Sequence, residues 1–139
     1  MNKKKIIKIF LFIFISPFIY LIIKIISPYK IIKLGQLTSE RIGHFSANTE
    51  LYLCNKLITK NKSIDFFFNR DPVCNNFFNK IIKNKLILIN ECLGHAIFKL
   101  LQILREKNHI IDIINEDRDI ENTLQKCDKI LSISKTDIE

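Results

Sequence analysis

Apolar residues run almost unbroken through the first part of the chain and then break into short blocks separated by polar turns. From Ile6 to Ile26 the only charges are Lys8 and Lys24, both near enough to the ends of the run to snorkel. A helix of that length reaches about 30 Å, the thickness of a bilayer's hydrocarbon core. Asn2-Lys3-Lys4-Lys5 gives it a basic start, and no small-residue cleavage site follows Ile25-Ile26-Ser27-Pro28-Tyr29. The pattern therefore predicts an uncleaved membrane anchor over residues 1 to 28 rather than a removable signal peptide. Ser16-Pro17 can kink that helix, which admits either a straight span or a shallow, re-entrant insertion.

Beyond the anchor, Ile31, Ile32 and Leu34 read as a strand ended by Gly35. A polar turn with Arg41, Gly43 and His44 follows, and Ser46 is placed to cap a helix whose apolar side carries Ala47, Leu51, Cys54 and Ile58. Ile64 to Phe68 reads as a buried strand. Asp71-Pro72 reads as the cap and first position of a helix with rows Val73, Phe77, Ile81 and Cys74, Phe78, Ile82, ending at Asn84-Lys85. Leu86 to Ile89 is a short strand and Gly94 to Arg105 a helix. Weaker patterns predict a strand over Ile110 to Ile114, a short helix over Ile120 to Lys126 and a last strand over Lys129 to Ile133. Strands alternating with helices predict one α/β domain over residues 29 to 139, built on a parallel sheet with the first strand central.

Charge changes this picture little. The formal net charge is +8, but residues 1 to 33 hold seven lysines and no acidic residue, which leaves 15 basic against 14 acidic residues for the rest. Lysine outnumbers arginine 18 to 4, whereas bidentate phosphate or base readout favours arginine. Nucleic acid is not an expected partner. Cys54, Cys74, Cys92 and Cys127 have no zinc-ligand spacing, and Cys54 and Cys74 fall on predicted apolar helix faces. They read as reduced core thiols, with no metal or cofactor expected.

The loop chemistry centres on His44, at the carboxyl end of the first strand, where open α/β sheets bind ligands. It can act on a ligand or simply hydrogen-bond the turn. Arg41 suits a phosphate or acidic sugar, and equally a structural ion pair. Glu50 lies one turn into the helix, where it suits the dipole. Asp117 and Asp119 flank Arg118 and read as a salt-bridged turn rather than a metal pair; His95 and His109 read as structural.

Arg41-Ile42-Gly43-His44-Phe45 followed by Asn48-Thr49-Glu50-Leu51-Tyr52-Leu53 resembles the N-terminal signature of a family of bacterial glycosyltransferases with two Rossmann-like domains in the GT-B manner. Asp71-Pro72-Val73-Cys74-Asn75-Asn76-Phe77 and Asp117-Arg118-Asp119 with Asn122 and Leu124 resemble that family's second and third segments, in the same order. The resemblance covers roughly residues 30 to 139. It implies the acceptor-side, Rossmann-like half of a transferase for surface polysaccharide or glycolipid. It further implies His44 as the base that deprotonates an acceptor hydroxyl, with Arg41, Gly43, Asn48, Glu50 and Asn75 contacting substrate. Family members continue into a second domain that binds the nucleotide sugar. A chain ending at Glu139 is therefore expected to be inactive alone and to need a separate C-terminal domain as partner. Flanking lysines divide four before the apolar centre and three after it, too even to orient the anchor. Because nucleotide sugars are cytoplasmic, the expected location is the inner membrane with the domain facing the cytoplasm. The alternative is a non-enzymatic, membrane-anchored α/β protein that binds an anionic ligand or protein partner through the same loop.

Overall fold

The computed structural model describes residues 3 to 113, 119, 122 to 127, 130 and 131, with side chains described from residue 10 onward. Eight elements occur in the order α1 (Lys3–Ile26), β1 (Ile32–Leu37), α2 (Ile42–Thr59), β2 (Ile64–Asn69), α3 (Asn76–Lys85), β3 (Ile87–Leu88), α4 (Glu91–Ile103) and β4 (Ile110–Ile111). Short 3-10 turns cover Lys107–His109 and Thr123–Lys126. The strands form one parallel sheet in the order β3-β2-β1-β4, so β1 is interior, as its position before the signature loop predicts. β1 and β4 pair with Leu34 opposite Ile110 and Gly35 opposite Ile111. The strand expected over Lys129 to Ile133 lies mostly outside the described residues.

By contacts the chain separates into two units. One gathers the residues up to Gln36, Lys62–Phe68 and Leu88–Ile111; the other holds Leu37–Asn61, Asn69–Ile87 and the described residues from Asp112 on. The core of the first unit is Ile23, Leu34, Phe68, Ile97, Phe98 and Leu101, with Ile19, Tyr20, Phe66 and Leu93 packed against it. Each such side chain contributes about 1.5–3 kcal/mol when fully buried. Buried His109 is structural here: its Nδ1 lies 2.7 Å from the Ile32 carbonyl oxygen, tying the turn before β4 to β1. An apolar cavity of about 260 Å³ is lined by Ile19, Ile23, Leu34, Phe66, Ile89 and Leu93.

Both glycines of this unit serve packing. Gly35 does not end the first strand but lies within it, and an added Cβ would fall 2.5 Å from Cε1 of Phe67. Gly94 does not open α4, whose N-cap is Asn90; its missing side chain makes room for Phe68, whose Cγ would lie 2.5 Å from a Cβ there.

α1 continues through Pro17. A proline at that position leaves the carbonyl four residues earlier without its helical donor. That carbonyl is Ile13's, and Ser16 Oγ donates to it at 2.9 Å. Among the described residues no helix is long and apolar enough to cross a membrane. One side of α1 is docked on the unit: Ile23 is buried in the core, Tyr20 Oη donates to Glu106 Oε1 at 2.8 Å, and Lys24 Nζ lies 2.6 Å from the same oxygen.

Candidate functional site

The second unit holds the segments that leave the carboxyl ends of β1, β2 and β4. After β1 comes the turn Thr38-Ser39-Glu40, and α2 then opens at Ile42 with Arg41 as its N-cap residue. The helix thus begins four residues before the predicted Ser46 cap. Ser46 instead donates back to the Ile42 carbonyl at 2.9 Å, as a serine inside a helix can. The buried face also differs from the predicted one. Phe45, Asn48, Thr49, Leu51 and Cys54 are inside, while Ala47, Leu57 and Ile58 are exposed.

This shift places Arg41, Gly43 and His44 together in the first turn of α2. Arg41, the N-cap residue, makes no side-chain cap hydrogen bond. Nothing lies within 4 Å of a Cβ built on Gly43, which leaves the backbone open to approach. The site thus combines a helix N-terminus, a guanidinium and an imidazole at the end of a central strand, a combination that attracts phosphate or carboxylate. Arg41 and Gly43 are exposed and His44 is half-buried and engaged with a neighbour.

Ser39, which the sequence pattern did not single out, joins this turn to the one after β2. It is fully buried; its Oγ donates to the Arg70 carbonyl, and its own carbonyl accepts from Cys74 N at 2.8 Å. Arg70 N also donates to the Leu37 carbonyl at 3.2 Å, and Arg70 Nε pairs with Glu40 Oε1 at 2.7 Å. That pair is largely solvated, so it orients the two turns more than it stabilises them. Thr38 Oγ1 is shielded from solvent and has no hydrogen-bond partner among the described residues.

The remaining predicted site residues have structural partners. Asn75 is the N-cap of α3, accepting from Phe78 N at 2.9 Å; the expected cap, Asp71, lies upstream in a loop whose Asp71–Pro72 bond is cis. Of the predicted apolar rows of α3 only Ile81 and Ile82 are buried, and Phe78 meets Phe45 edge to face at 5.3 Å. Asn48 is buried and its Nδ2 donates to the Ile113 carbonyl at 3.4 Å, linking α2 to the segment after β4. Glu50 accepts from Ile130 N at 2.5 Å and from Leu131 N at 2.8 Å. Asp117 and Arg118 lie outside the described residues. Asp119 receives Thr123 N at 2.6 Å and Leu124 N at 2.8 Å. Burial works against the Asp119 anion, but these donors prevail and hold its carboxyl below the usual range.

The cysteines are free. Cys54 is buried, and desolvation, reinforced by Cys127, pushes its thiol up to about 12. Cys74 is exposed, contrary to the core position predicted for it, because α3 starts only at Asn76 and leaves Cys74 in the preceding loop. Among the described residues no group of three or more histidine, cysteine, aspartate or glutamate side chains is placed to hold a metal. No protein family, curated protein or solved structure matches the chain.

Proposed function

We propose that this chain is the acceptor-side, Rossmann-like domain of a membrane-associated, GT-B-type glycosyltransferase acting on a surface polysaccharide or glycolipid at the cytoplasmic face of the inner membrane. One observation carries the reading. The first two signature segments, from Arg41 and from Asp71, directly follow β1 and β2, neighbouring strands of the sheet, and the third follows β4 in the chain. The order also reverses beside β1: β2 and β3 extend to one side and β4 lies on the other, which puts the Arg41 to His44 turn at a topological switch point.

In an inverting transfer His44 takes the proton of the acceptor hydroxyl as that oxygen attacks the anomeric carbon of the donor. Arg41 and the amino end of α2 draw an anionic group of the substrate into place. Glu50, Asn48 and Asn75 already have partners and support the site by fixing α2 and α3. The contacts that stabilise the departing nucleotide diphosphate, a large part of the catalytic effect, belong to a second α/β domain.

The test is sugar transfer from a panel of labelled nucleotide sugars to bacterial envelope lipids, with residues 1 to 139 alone and with a donor-binding domain supplied in trans. Transfer only in the combined reaction is expected. Full turnover by the 139-residue chain alone, or none in either reaction with any donor, contradicts the proposal; the second result leaves anion binding without catalysis.

A further inference from the structure

α1 has two unlike sides. Phe12, Ser16, Ile19, Tyr20, Ile23 and Ser27 recede from solvent at steps of three and four residues, which makes them one helical stripe. That stripe is held by the first unit's core and by the Tyr20 and Lys24 contacts to Glu106. The rest of the surface is bare and apolar: Phe10 is 61% exposed, Phe14 74%, Phe18 70%, Leu21 55% and Ile25 71%. A contiguous patch of this kind marks a contact surface, not the scatter of single apolar residues usual on proteins.

Its charge decides what covers it. In the chain, Lys3, Lys4, Lys5 and Lys8 precede the patch and Lys30 follows it, Lys24 being paired with Glu106, and no acidic residue occurs before Glu40. Two copies packed through this patch, parallel or antiparallel, would bring lysines against lysines. An anionic lipid surface suits both features, with acyl chains on the stripe and headgroups at both ends.

The docked stripe also decides how the helix lies. From Phe12 onward α1 is packed along the unit that contains α4. α4 and its exit carry exposed Lys99, Gln102, Arg105 and Lys107. Carrying such charges to the bilayer centre would be costly. Only Lys3 to Leu11 precede the docked stripe, about 13 Å of helix against a core of about 30 Å.

We infer that α1 lies in the plane of the membrane surface, with Phe10, Phe14, Phe18, Leu21 and Ile25 among the acyl chains, and that both ends of the helix stay on the same side as the domain. The inference rests on the proposed membrane association and not on sugar transfer.

The chain contains no tryptophan, so single replacements report position without background. Full-length Phe14→Trp, Phe18→Trp and Tyr20→Trp proteins are mixed with phosphatidylglycerol vesicles carrying acyl-chain bromines. A second arm places an epitope at the N-terminus and exposes inside-out cell membranes to external protease. Strong quenching of Phe14→Trp and Phe18→Trp, at least threefold weaker quenching of Tyr20→Trp, and loss of the epitope together with the domain are expected. An epitope protected while the domain is digested overturns the in-plane arrangement but keeps the membrane reading. Equal quenching of all three overturns the docked stripe. Failure to bind the vesicles overturns membrane association itself.

Discussion

Ser39 carries more of the site's geometry than any residue of the signature. Its hydroxyl and carbonyl join the turns after β1 and β2 within a fully buried setting. Ser39→Ala leaves the Arg70 carbonyl without that donor, and we expect a loss of about 1–3 kcal/mol in urea unfolding. A serine in a polar turn gives no sequence signal for this, because burial there is set by a neighbouring loop about thirty residues away. Asn75 illustrates the opposite limit. Asp71-Pro72 reads as a helix start, but α3 opens only at Asn76 with Asn75 as its cap, because the backbone leaves its loop there. The cysteines offer a direct check. With its thiol up at about 12 and buried, Cys54 should resist maleimide at neutral pH until the protein unfolds, while exposed Cys74 labels at once. Prompt labelling of Cys54 by mass spectrometry would contradict its placement.

At the scale of elements, the alternation of strands and helices was readable from residue 31 to residue 111. Block lengths and period carried it: Ile64 to Phe68 is too short for a helix of its own and too apolar for a surface position, and β2 spans Ile64–Asn69. The glycines misled because a local signal for a turn and a tertiary need for space look alike in sequence. Gly94→Ala should therefore cost about 1–3 kcal/mol despite alanine's higher helix propensity, since its Cβ would strike the fully buried Phe68. A stabilised Gly94→Ala protein in thermal melts would refute that packing.

α1 gives an element with a pH signature. Hydrogen bonds from Lys24, then from Tyr20, hold the Glu106 carboxyl below the usual range despite the opposing effect of burial. Its folded pKa lies below its unfolded one, so the unfolded chain binds the proton more readily. This contribution to stability is therefore present above the ordinary glutamate range and is lost as pH falls through the folded value. Melts from pH 7 to pH 3 should show Glu106→Gln less stable than the parent at neutral pH, with the difference closing on the acid side. A constant difference across that window would mean that the pair adds nothing to stability.

For the whole molecule, the sheet order could not be read from the sequence, because hydrophobic pattern identifies strands and not their neighbours. It matters most to function: with β1 between β2 and β4, segments far apart in the chain emerge at adjacent strand ends. Arg41, Gly43 and His44 lie at and within the first turn of α2, as their closeness in the chain makes legible, whereas Glu50 and Asn75 accept from backbone donors that no local pattern announces. The proposed function stands or falls on His44 working on an acceptor hydroxyl at this turn. The decisive experiment is single-turnover sugar transfer in the reconstituted two-domain system, comparing His44→Ala and Arg41→Ala with the parent. A fall of about a hundredfold or more in the transfer rate is expected for His44→Ala, and mainly weaker substrate binding for Arg41→Ala. A His44→Ala protein that transfers sugar at the parental rate would show that the imidazole takes no proton from the acceptor.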